Sequence, residues 1–249
     1  MKLSTDLIFD MAALAAFLAV WIGYMPLMRR LTHGRSRINT DMLLIRGAWM
    51  RAMTQRPQHR LLDSQLIGHA LNTASFFASS NLILLAAAAG ALSGGESVYR
   101  KVLDVPLLAA APRGLFEVKL AVIAATLARS LLDFIWAIRQ MNYAVAVVGA
   151  APRRASPARM AAYAEAATGV INPALGAFSS GVRGYYFALA AAAWLFGPAA
   201  LLVVTAGALA LLIWRQSASP AAAAVHKARV LLEQADADGE DDSGWTEEV

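Results

Sequence analysis

Along this chain the apolar positions gather into long runs without a formal charge, Met11–Met28, Ser64–Gly95 and Gly184–Trp214. Each approaches or exceeds the ~20 residues an α-helix needs to cross a hydrocarbon core. The pattern predicts four spanning helices, over about residues 7–27, 66–92, 115–138 and 185–213. The first is preceded by Lys2, Asp6 and Asp10 and followed by Arg29, Arg30, Arg35 and Arg37. Those flanks are the reverse of a cleaved signal peptide's, so a retained helix with its N-terminus outside is expected.

The second run stops before Ser93-Gly94-Gly95, a natural helix end. The third has the right length but poor hydropathy, because Lys119 and Arg139 bracket nineteen residues that include Arg129 and Asp133. The fourth is free of charge and holds Gly197-Pro198 near its middle, where a kink is expected. Tyr185 and Tyr186 beside Arg183 read as an interfacial aromatic belt. Between the third and fourth, residues 160–182 are mildly apolar but contain Glu165, Asn172-Pro173 and several glycines. An interfacial or re-entrant segment is the first expectation there, and a fifth span the second.

Two other stretches carry helical periodicity. In Thr40–Arg56, Met42, Ile45, Trp49, Ala52 and Met53 share one face and Arg51 and Gln55 the other, with Asp41 placed against the N-terminal dipole. Such a helix fits the headgroup layer; a plain topogenic and packing helix is the first reading, and one with Arg46, Arg51 and Arg56 available to anionic lipid headgroups the second. After Trp214 a short helical stretch to Glu233 leads into an acidic end, so residues 215–249 are expected to form an acidic, disordered tail, with partner binding as a lesser reading. The expected architecture is therefore all-α: an integral membrane bundle of about four transmembrane helices (residues 1–214) with amphipathic helices on its cytoplasmic face.

Charge fixes an orientation. The loops 29–63 and 139–184 hold eight and five Lys/Arg, against one and four in residues 1–10 and 93–119, so the positive-inside rule puts the first pair in the cytoplasm and both chain ends outside. The net charge of +5 conceals an asymmetry, since residues 215–249 carry three basic and eight acidic side chains. Basic charge sitting between apolar spans points to membrane topology rather than nucleic acid. Composition agrees: 58% of the 249 residues are hydrophobic and only 16% charged, where a soluble domain has ~25% charged. With no cysteine, disulfides, iron–sulfur clusters, cysteine zinc sites and cysteine nucleophiles are excluded.

The sharpest candidate chemistry is Arg129 with Asp133. Arg129 is the central residue between Lys119 and Arg139, where a charge costs at least ~2.5–3.5 kcal/mol on insertion scales, and the i, i+4 spacing lets Asp133 neutralise it. Both are expected to face the bundle interior. The second span offers a polar row, His69, Asn72, Phe76 and Ser79/Ser80; matching depths in antiparallel helices sets Asn72 against Asp133, with Ser79 above Arg129. A buried clamp fixing helix register is the first reading of this group, and an ion or proton path the second. No metal or cofactor is expected: His33, His59 and His226 are scattered, and Walker, GxSxG and HExxH patterns are absent. Asp133 is the only acid deep in the predicted membrane region, which argues against an enzyme.

Three stretches together resemble the domain-of-unknown-function family 599, multi-pass membrane proteins found mainly in bacteria: Arg46-Gly47-Ala48-Trp49-Met50, the Asn72–Leu85 run NTASFFASSNLILL, and Gly181–Trp194, GVRGYYFALAAAAW, closed by Pro198. The resemblance covers roughly residues 5–214, implies membrane class and topology only, and brings no activity or catalytic residues; a bacterial inner membrane is the expected location. Function is expected to be structural or accessory, as a homo-oligomer or part of a larger membrane complex. The small residues Ala86–Ala89, Gly90 and Ala91 would let helices approach closely. A small-ion channel or transporter subunit is the alternative, and an embedded enzyme the third reading.

Overall fold

The computed structural model describes the backbone of residues 2–31, 38–106, 108–109 and 111–238, with side chains over 7–24, 38–106, 108–109 and 111–235. Among the described residues the α-helices are α1 (Lys2–Leu31), α2 (Ile38–Gln55), α3 (Arg60–Ser93), α4 (Gly95–Leu103), α5 (Arg113–Gly149), α6 (Pro157–Ala193), α7 (Pro198–Ser217) and α8 (Pro220–Asp238), and none of these residues is in a strand. Among the described residues four helices are long and apolar enough to cross a membrane, one of them over Leu7–Tyr24 of α1 and the others built on α3, α5 and α7. The chain is thus an all-α membrane helical bundle.

Helix α5 is the central element, packed along both α3 and α6 and antiparallel to each. Its neighbours fit it for different reasons. α3 buries Ile67, Ala74, Asn81 and Ala88, one residue in every seven, which is the seam of a left-handed supercoiled pair. α6 offers small residues, among them Ala164, Ala167, Ala174, Gly181 and Ala188, that let two backbones draw close. The approach is tightest at two glycines. A methyl at Gly181 would lie 2.6 Å from the Phe134 ring, and one at Gly184 2.6 Å from the Cβ of Ser130.

At 1.5 Å per residue α3, α5 and α6 reach ~50–55 Å and overshoot a ~30 Å hydrocarbon core, whereas the 20 residues of α7 match it. The bundle accordingly has two apolar cores. One, with Phe17, Leu120, Phe187, Trp194 and Leu201, joins α1 and α7 to the first half of α5 and the last half of α6. The other, with Met50, Met53, Ile67, Met141 and Ile171, joins α2 to the opposite halves of α3, α5 and α6. The segment between α3 and α5 folds onto the first core, where α4 seats Val98, Tyr99 and Val102.

Three expectations are corrected. The stretch 185–213 is not one span: α6 ends at Ala193, a 3₁₀ turn covers Trp194–Phe196, and Gly197 takes φ +121° before Pro198 opens α7. Positive φ suits glycine, and proline fits the first turn of a helix, so Gly197-Pro198 reverses the chain rather than kinking it. Residues 160–182, in turn, belong to the continuous α6, with Pro173 inside it. That makes α6 a fifth long helix, packed along α5. Finally, the end of the chain is not a free tail up to residue 238: α8 lies on α2, with Arg229 Nε 3.2 Å and His226 Nδ1 3.4 Å from the Asp41 carboxylate. The acidic residues beyond 238 lie outside the described residues.

Helix α2 itself does not rest on a headgroup layer by its apolar face. Met50 and Met53 are buried in protein, and Trp49 donates its indole N–H to Asp63 at 2.7 Å. The predicted amphipathic helix exists, but α6 and α8 cover it.

Candidate functional site

Midway along α5 the packing turns polar. Ser130 donates to the Gly181 carbonyl at 2.7 Å, and fully buried Asn81 wedges against the same turn of α5. With its amide turned to satisfy both ends, Asn81 donates to the Leu127 carbonyl and accepts from the Leu131 N–H, each at 3.2 Å. A buried amide in an apolar environment is stable only when so matched. This link ties α3, α5 and α6 together at one level.

Arg129 and Asp133 lie one turn apart on α5 beside that link, and their Nη1···Oδ1 distance is 2.5 Å. The expected pair forms, but its setting differs from the expectation. Arg129 is 58% exposed and Asp133 only 17%. Asp133 does not meet α3: His69, Asn72, Phe76 and Ser79 all lie on the exposed face of that helix. The antiparallel register of α3 and α5 is as expected, but the buried seam runs through Ile67, Ala74 and Asn81, and the row His69, Asn72, Ser79 is out of phase with it. Depth arithmetic locates a residue along a helix and leaves its direction around the axis open.

The group that completes the site is Arg183 of α6. Its guanidinium lies over the Tyr24 ring at 5.9 Å, donates to Ser180 Oγ at 3.1 Å, and feels the charge of Asp133. It is therefore a bundle residue and no part of an interfacial belt. Tyr24 in turn accepts from Gln216 of α7 at 2.8 Å. Asp133, Ser180 and Arg183 line two cavities at once. The upper, about 420 Å³, opens between α1 and α5/α6 and includes Tyr24, Thr126, Arg129 and Ser130. The lower, about 510 Å³, lies between α2 and α6 and includes Asn39, Thr40, Arg46, Asn172 and Gln216.

Of the three arginines expected at lipid headgroups, Arg46 turns into this lower cavity, and burial holds its guanidinium below the ordinary arginine range. Arg51 lies on the exposed side, and Arg56, also exposed, turns its Nε back to the Ala52 carbonyl at 3.3 Å. At the opposite end of the bundle a buried ion pair escaped the sequence reading. Lys119 is 2% exposed, its Nζ 3.8 Å from Asp10 and 5.5 Å from the Trp194 ring centroid, while Trp194 donates its indole N–H to Asp10 at 2.6 Å. Both residues read as span flanks in sequence, and nothing local brings Asp10 and Trp194 together. Among the described residues no group of three metal-ligating side chains occurs.

A family model described as a protein of unknown function, DUF599, matches residues 12–221. No curated protein and no solved structure matches the chain.

Proposed function

The chain belongs to the DUF599 family of proteins of unknown function, and we propose that it is a subunit of a channel or transporter that admits a small polar solute to the middle of its helical bundle. One observation carries this reading: two cavities of about 510 and 420 Å³ share Asp133, Ser180 and Arg183 in their walls. A clamp that only fixed helix register would be enclosed, yet Arg129 is more than half exposed at the centre of a spanning helix. A guanidinium at that depth is tolerated where it faces water or another protein, and polar cavities at mid-membrane mark solute routes. So small a bundle needs copies of itself, or other subunits, to enclose a complete path. By the positive-inside rule the end carrying α2 and α8 faces the cytoplasm of a bacterial inner membrane.

The accessory reading has its own support. His69, Asn72 and Ser79 form an exposed polar row on a helix otherwise apolar enough to span. Polar side chains on an outer membrane face find their hydrogen bonds in a neighbouring helix. Flux through reconstituted vesicles separates the two. The wild type should pass small ions, and Ser180→Leu, which narrows both cavities at their shared wall, should melt as the wild type does and lose that flux. Wild-type vesicles without flux, from protein that copurifies with a fixed partner, would overturn transport in favour of the accessory role.

A further inference from the structure

The lower cavity is unevenly equipped. Arg46 and Arg183 line it, and among the described residues neither has a carboxylate within 4 Å. Among the described residues its one acid, Asp133, is already held by Arg129. Asn39 and Thr40, in the first turn of the 18-residue α2, add the positive end of a helix dipole, while Asp41 of that turn is directed to Arg229 and His226. Two buried polar atoms on its wall have no hydrogen-bond partner, Arg46 Nε, a donor, and Asn172 Oδ1, an acceptor. Buried polar groups are nearly always satisfied, so two such orphans on residues of one cavity describe what is missing.

We propose that this cavity is an oxyanion site for a phosphate-class group, with Arg46, Arg183 and the α2 N-terminus holding its unprotonated oxygens and Asn172 Oδ1 accepting from a hydroxyl on the same ligand. A halide could answer the cationic groups but not the Asn172 acceptor. A hydrogen phosphate supplies both kinds of atom, as does a phosphoglycerol headgroup. The inference rests on the transport reading only in taking the cavity to be open to ligand.

The test is thermal melting of the full chain, in detergent with inorganic phosphate and in nanodiscs of phosphatidylglycerol or phosphatidylcholine. Phosphate should raise the melting temperature saturably where equal chloride does not, and Arg46→Gln or Arg183→Gln should weaken half-saturation by about tenfold or more, the worth of one charge-assisted hydrogen bond. Arg56→Gln should leave it unchanged. If Arg46→Gln fails to fold, Arg46→Lys and Asn172→Ala make the same comparison. Stabilisation by phosphatidylglycerol but not phosphate, with the same dependence on Arg46 and Arg183, supports the site and assigns a lipid source. Stabilisation by neither, or one indifferent to both arginines, overturns it. Flux without any such dependence would overturn this site while leaving transport standing, and dependence without flux would do the reverse.

Discussion

The hydroxyl of Ser130 on α5 reaches the backbone carbonyl of Gly181 on α6 at 2.7 Å, across 51 residues of sequence. The contact requires the two helix backbones to lie close. Gly181 and Gly184 make that approach possible, and Arg183 projects from between them toward Tyr24 and the cavities. The polar site is thus built on a close crossing of α5 and α6, which fixes where Arg183 stands relative to Asp133.

Enlarging either glycine should wedge that crossing apart. Gly181→Ala puts a methyl 2.6 Å from the Phe134 ring, and Gly184→Ala one 2.6 Å from Ser130 Cβ. Each is expected to cost about 1–3 kcal/mol, the usual range for an overpacked core. Melting in detergent reads the loss, and Phe134→Leu should restore part of it for Gly181→Ala but none for Gly184→Ala.

The side of the membrane occupied by α8 follows from its seat on α2. Because the chain has no cysteine, single cysteines at positions 51, 96 and 231 can be labelled without background. An impermeant maleimide on intact cells should reach position 96 and spare 51 and 231 together. Labelling of 96 and 231 together would contradict both the seat of α8 on α2 and the reversal at Gly197.

Asp10 and Lys119 form a buried pair of the kind whose single loss is severe. Asp10→Asn leaves the Lys119 ammonium, 2% exposed, without its counter-charge and is expected to cost about 3–5 kcal/mol. Asp10→Asn with Lys119→Met should recover much of that, since an apolar replacement of a buried pair is often neutral. Equal melting of the single and double variants would mean that the pair contributes nothing.

Docking of α8 also makes a prediction about proteolysis. Lys227 and Arg229 lie on a helix held to Asp41, so mild trypsin treatment should cut them slowly. Arg229→Ala removes one tie and should accelerate cleavage after Lys227 several-fold. Immediate cleavage there in the wild type would return residues 220–238 to the status of a loose tail.

The linear pattern of residues by itself determined that this is a membrane helical protein, because charge-free runs of twenty residues have few other places to reside. It determined the family resemblance, the amphipathic α2, and the proximity of Arg129 to Asp133, since i, i+4 neighbours meet in any helix. It left open every relation that depends on rotation about a helix axis or on the exit angle from a turn. The row His69, Asn72, Ser79 was legible as polar, yet which face of α3 meets α5 was settled by the seven-residue seam through Asn81. Gly197-Pro198 was legible as an interruption, but a kink and a reversal share that dipeptide. The choice fell to the positive φ of Gly197 and to the Ala109 N–H, which donates to the Leu195 carbonyl at 3.0 Å. Arg183 reads as interfacial in sequence, whereas the reversal fourteen residues on, at Gly197, returns it to the bundle. Hydropathy is summed along the chain, whereas the site is assembled across it, from α1, α2, α5, α6 and α7, and only their packing decides which polar groups share a cavity.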